Sequence, residues 1–162
     1  MSGDAFLNLS DTNLNLRIYY LGFLAGEVKE DNGVIQSKPR IDRIKSIILV
    51  EGLKNSFFWW NIKDYIIQEN EDMYVLKNFN RKILISKETL LPVRQTIELD
   101  NGEELNISYD TPAKNNTEET KNIPDPWIQW YQSRLSIKFK NHLVKVKVKS
   151  YSATKLKAAE KL

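Results

Sequence analysis

Arg134-Leu135-Ser136-Ile137-Lys138-Phe139-Lys140 runs into a turn near Asn141, and Val144-Lys145-Val146-Lys147-Val148-Lys149 comes out of it. Apolar residues stand at every second position on both sides of the turn. A period of two is the signature of a β-strand with one buried and one wet face, because successive side chains on a strand point to opposite sides. Two such runs joined by a short polar link predict an antiparallel hairpin with Leu135, Ile137, Phe139, Val144, Val146 and Val148 on its apolar face.

The same grammar extends upstream. Leu105, Ile107 and Tyr109 alternate with polar residues, and Asp100-Asn101-Gly102-Glu103 before them reads as a turn. Strand-like pieces cover 93–99, 83–85 and 73–76, the last two linked by Asn78-Phe79-Asn80-Arg81. Near the amino terminus, residues 16–28 are rich in aromatic and β-branched types, with Gly22 and Gly26 marking a bend or bulge. Asn32-Gly33 then gives a strong hairpin turn. Residues 41–50 suit either a strand or a short helix. The four aromatics Phe57, Phe58, Trp59 and Trp60 suit a strand better than a helix. The expected fold is mainly β: a curved antiparallel sheet, open as a half-barrel, with little helix. Residues 1–15 read as a polar lead, 16–151 as one β domain with an exposed loop at 111–126, and 152–162 as a tail or short helix.

Composition narrows function by exclusion. The chain has 162 residues, no Cys and one His, so thiolate chemistry, disulfide scaffolds and multi-histidine metal sites are out of reach. His142 has no acid within ten residues in sequence and reads as a turn histidine. The adjacent acid pairs, such as Glu103/Glu104, point to opposite strand faces and lie beside turns. No nucleophile elbow, phosphate loop or dinucleotide fingerprint is present. A non-enzymatic protein without cofactor or metal is expected, and no apolar run reaches the roughly 18 residues of a spanning helix. Behind Met1-Ser2-Gly3-Asp4 there is no apolar signal region. That leaves a cytosolic protein, or a periplasmic or envelope protein whose signal has been removed.

Charge is unevenly spread. Residues 133–162 hold nine Lys or Arg and one acid, against a net negative remainder. Lys138, Lys140, Lys145, Lys147 and Lys149 are expected on one face of the last hairpin. That face is either a solvated edge kept soluble by lysine or a contact for phosphates and anionic lipid head groups. Aromatics for base stacking do not interleave with the lysines, which weakens nucleic-acid binding. On a strand, Phe57 and Trp59 face one way and Phe58 and Trp60 the other, so both faces need cover. Trp127 and Trp130 supply that cover from within the chain, or an apolar ligand or a protein partner does.

Two stretches carry a resemblance. Tyr20-Leu21-Gly22-Phe23-Leu24-Ala25-Gly26-Glu27 resembles the opening strand of a family of secreted bacterial proteins of unknown function. Residues 83–92 (Ile-Leu-Ile-Ser-Lys-Glu-Thr-Leu-Leu-Pro), with Ile97-Glu98-Leu99 and Ile107-Ser108-Tyr109-Asp110, are similar to that family's hairpin pattern. The same pattern occurs in periplasmic lipoprotein carriers of the outer-membrane localisation type, the LolA and LolB fold. The resemblance implies an open sheet around an apolar cavity that shields acyl chains. On that reading Phe57, Phe58, Trp59 and Trp60 line the cavity, Trp127 and Trp130 stand near its mouth, and the five lysines meet anionic head groups. A protein–protein interaction module built on the aromatic face and the lysine ribbon is the alternative, and nucleic-acid binding a weaker one.

Overall fold

A computed structural model describes residues 3–114 and 130–150. The chain is mainly β with little helix, and its sheets are antiparallel and open. A four-stranded meander comes first: β1 (Asp4–Leu9), β2 (Asn13–Tyr20), β3 (Phe23–Asp31) and β4 (Val34–Lys38), in that spatial order. A helical segment follows, made of α1 (Arg43–Ser46), a π-helical stretch (Ile47–Gly52) and α2 (Leu53–Phe57). The remaining strands are β5 (Ile66–Glu69), β6 (Met73–Lys77), β7 (Arg81–Ser86), β8 (Pro92–Glu98), β9 (Glu104–Tyr109), β10 (Ala113–Lys114), β11 (Trp130–Tyr131), β12 (Arg134–Phe139) and β13 (His142–Lys147). Seven of them form one sheet in the order β13-β12-β9-β8-β7-β6-β5, while β10 pairs with β11 as a short ribbon.

The hairpin signals hold at residue level. Asn32 and Gly33 both adopt positive φ (48° and 86°), the conformation a tight two-residue hairpin turn demands. Leu21 and Gly22 do the same between β2 and β3, and Gly26 sits opposite the bulge at Ile18/Tyr19. The last hairpin pairs Leu135 with Val146 and Ile137 with Val144 across the strands, with Lys140 and Asn141 as the turn. His142 is therefore the first residue of β13, and it is exposed.

Two expectations need correction, and one choice left open is decided. Part of the polar lead is sheet: β1 pairs with β2 so that Leu7 meets Leu16 and Leu9 meets Leu14, with the polar residues on the opposite, wet face. Second, 41–50 takes the helical alternative. Asp42 caps α1 by accepting from the Lys45 backbone N–H (2.8 Å). The segment from Ile44 to Leu53 buries Ile47, Ile48, Val50 and Leu53 between the two sheets and leaves only a narrow polar row, with Arg43, Glu51 and Asn55 on an open cleft. Third, Phe57 closes α2 and Phe58 to Trp60 form its exit turn, so these aromatics do not alternate across a strand.

Packing follows from this sandwich. Ile47, Ile48, Val50 and Leu53 are buried between Leu14, Leu16 and Val28 of the small sheet and Ile97, Leu105, Ile107, Leu135, Ile137 and Phe139 of the large one. The helix crosses β12 at Gly52, where a Cβ would come within 2.7 Å of the Ile137 side chain. Only glycine allows that approach. Glu30, buried on β3, accepts from Lys54 Nζ at 2.9 Å and from the Gly33 N–H at 2.7 Å, tying the small sheet to the helix.

A charged knot joins the far ends of these elements. The Glu103 carboxylate, in the β8–β9 turn, accepts from Arg43 (3.0 Å), from Lys140 of the last turn and from Asn101. The Lys140 contact, then Asn101, hold its carboxyl down to about 2 from an ordinary 4.5. A carboxylate with a lowered folded pKa contributes stability above the unfolded pKa and loses it as pH falls toward the folded one. The urea midpoint of the wild type is therefore expected to fall faster than that of Glu103→Gln between pH 4.5 and 2. Parallel curves would show that the knot adds nothing to folding.

Candidate functional site

The aromatic run takes its geometry from a buried polar cluster beneath it. Arg81, first residue of β7, is only 8% exposed and sits on the same inner face as the apolar Ile83 and Ile85. Its guanidinium donates to Gln95 Oε1 from Nε (3.0 Å) and to the Trp59 and Asn61 backbone carbonyls at 3.2 and 3.3 Å. Gln95 Nε2 donates in turn to the Asn55 carbonyl (2.8 Å) and to the Tyr109 hydroxyl, which donates to the Ser56 carbonyl at 2.8 Å. These acceptors belong to the end of α2 and the turn beyond it, the carbonyls that a helix leaves without partners of its own.

Among the described residues no carboxylate pairs with Arg81. Burial lowers its pKa to about 10. Burial also pushes the Tyr109 phenol above its ordinary range. The cluster is a clamp that fixes the path of the chain from Asn55 to Asn61 against β7, β8 and β9.

With that path fixed, the four aromatics separate. Trp59 turns inward and is 6% exposed, packed with Ile62, Ile83 and Ile85 in a second, smaller core. Trp60 turns outward and is 57% exposed, standing edge-on to Phe58 (5.5 Å between centroids) and to Trp59 (5.7 Å). Phe57 and Phe58 are half-buried, and Phe57 packs against the main core. Trp127 lies outside the described residues; Trp130 belongs to β11, and its side chain is likewise outside them.

Cover over the inner face of the large sheet thins toward one edge. Cross-strand register aligns Ile83, Leu76 and Ile67 on this face. Ile83 is 0% exposed under Trp59 and Ile62, Leu76 is half-buried, and Ile67 on the edge strand is 61% exposed. In the next row Tyr74 is half-buried, with Lys87 Nζ 5.1 Å from its ring centroid and paired with Glu69 at 2.9 Å. The result is an apolar shelf across β5–β7 with a charged rim.

The chain matches no protein-family model, no curated protein and no solved structure.

Two concavities are polar. An open cleft of about 590 Å³ beside the helix is lined by Arg43, Glu51, Asn61, Lys63, Glu98 and Asp100, among others, and a smaller one of about 340 Å³ lies between the β1–β2 turn and β3. None of Phe57, Phe58, Trp59 and Trp60 lines either. Among the described residues, the inner face that a half-barrel would leave for a ligand is filled by the helix at the β8–β12 end and is least covered at the β5–β6 end.

The five lysines also separate. Lys138, Lys145 and Lys147 project from the outer face of β12 and β13, as expected. Lys140 lies in the turn and is bound to Glu103, while Lys149 lies beyond β13 and pairs with Asp4 at 2.5 Å. Among the described residues no group of three His, Asp or Glu side chains is placed to hold a metal ion.

The cluster itself escaped the sequence reading, which placed Arg81 in a turn rather than on β7 and took Tyr109 as an apolar strand position, although a signal was there. Arg81-x-Ile83-x-Ile85, Gln95-x-Ile97 and Leu105-x-Ile107-x-Tyr109 each set a polar group at the end of an apolar alternation. A polar residue in phase with core positions needs buried partners.

Proposed function

We propose that this chain is a non-enzymatic binding protein that takes an apolar, lipidic ligand on the open inner shelf of β5–β7. The observation that supports it is the exposure gradient from Ile83 through Leu76 to Ile67, with exposed Trp60 standing edge-on to Trp59, which packs with Ile83. Uncovered apolar surface of this kind, rimmed by charge, is a common mark of a binding site. Each methylene of an acyl chain laid on it gains up to about 0.8 kcal/mol as water is displaced. The lipoprotein-carrier resemblance agrees in ligand class. The ligand rests on a shelf rather than inside an enclosure, and the work of such a protein lies at the cell envelope.

A second reading shares the same surface. β5 is the outermost strand of its sheet, all four of its residues are exposed, and neither Lys nor Pro guards it. Such an edge accepts an added strand from a protein partner or a second copy.

Native mass spectrometry of protein purified without detergent, followed by solvent extraction and by addition of a long-chain fatty acid, separates the two. Extra mass in the lipid range, or uptake of the added fatty acid, is expected for the wild type and lost in Trp60→Ala. A clean apo monomer that ignores the fatty acid overturns the ligand reading. An apo dimer dispersed by Ile67→Lys moves the function to strand addition.

A further inference from the structure

The outer face of the seven-stranded sheet, opposite the core, is basic across five of its strands. Register sets Lys138, Lys82 and Lys77 in one row, with Asn106 and Thr96 between the first two. The neighbouring row holds Lys145 and Arg94, separated by Ser136 and Ser108, and at the strand ends Lys147 lies opposite Arg134. All seven cations are exposed, and among the described residues none of them forms an ion pair. The strands contribute two acids to this face, Glu98 and Glu104, which oppose each other at one end.

The arrangement is a grid rather than a line. With neighbouring strands about 4.8 Å apart, the five spacings from β13 to β6 carry the positive rows across roughly 24 Å. Unpaired like charges at this density repel one another, a cost that a dense anionic partner relieves. A single nucleic-acid strand follows a groove and stacks its bases on aromatics, and no aromatic side chain belongs to this face of the strands. A lipid surface presents its negative charges in two dimensions, as the grid presents its positive ones.

We propose that this outer face docks the protein on a bilayer containing anionic lipids. The inference is independent of the ligand shelf, which lies on the sheet's other side. Sedimentation with phosphatidylcholine vesicles, with and without phosphatidylglycerol, tests it. Binding is expected only to the anionic vesicles and falls as salt is raised. Each cation near an anionic surface is worth about five-fold in partition, so Lys82→Glu with Arg94→Glu is expected to weaken binding at least about 20-fold. Lys138→Glu with Lys145→Glu, on other strands, repeats the test should the first pair disturb folding. Lys38→Glu with Arg40→Glu, exposed at and beyond the end of β4 in the other sheet, changes net charge equally but lies off the grid, and is expected to leave most of the binding intact. Equal loss in all pairs, no binding to anionic vesicles, or displacement from them by a short oligonucleotide at equal charge would each overturn the proposal. Trp60→Ala is expected to bind vesicles like the wild type, so failure of the shelf and failure of the face are read separately.

Discussion

Arg81→Met is expected to lower the unfolding free energy by about 2–4 kcal/mol, measured by urea denaturation. The substitution keeps an apolar stem of similar reach and deletes every donor. Gln95 Oε1 then stays buried without the guanidinium and the Trp59 carbonyl loses its bond to it, while Asn61, which borders the open cleft, regains water. Each buried acceptor left unmade costs roughly 1–3 kcal/mol, more than the bond itself contributed. Relief of the cost of burying a charge, visible in the lowered Arg81 pKa, offsets part of the loss. The double variant Arg81→Met/Gln95→Leu is expected to lose less than the sum of the single changes, because the two side chains satisfy each other. A loss under about 1 kcal/mol for Arg81→Met would mean that the exit turn of α2 holds its path without the clamp.

The contrast between this clamp and the hairpins explains what the sequence discloses. Leu135, Ile137 and Phe139, or Leu105, Ile107 and Tyr109, declare their strands because period two survives wherever one face is wet. Asn32-Gly33 declares its turn because few other pairs accept two positive φ values. The segment from Ile44 to Leu53 declares nothing comparable. A helix packed between two sheets keeps only a narrow polar row, here Glu51 and its neighbours on the cleft, and its β-branched residues mimic a buried strand. The aromatic run misleads for a related reason: strand propensity reflects packing on a pleated face, and here the packing partners are the end of a helix and a turn. The basic face was half legible. Lys138, Lys145 and Lys147 lie in the recognisable hairpin, whereas Lys77, Lys82 and Arg94 join them only through the register of five strands, which local pattern does not encode.

Trp59→Ala and Trp60→Ala, one residue apart, are expected to behave as opposites. Trp59 fills the small core with Ile62, Ile83 and Ile85 and is 6% exposed, so its removal leaves a cavity the size of an indole. Changes of that kind cost about 3–5 kcal/mol. The walls have little freedom to collapse, because the Arg81 clamp holds the Trp59 backbone on one side and β7 forms the other. Trp60 loses only its edge-on contacts with Phe58 and Trp59 and some half-exposed area, a change expected to stay under about 1.5 kcal/mol. A half-exposed tryptophan that adds so little to folding is a liability in water unless something apolar meets it. Stability and fatty-acid uptake should therefore dissociate: Trp60→Ala folds and fails to bind. Equal destabilisation by both variants would make Trp60 a structural residue and remove it from the proposed site.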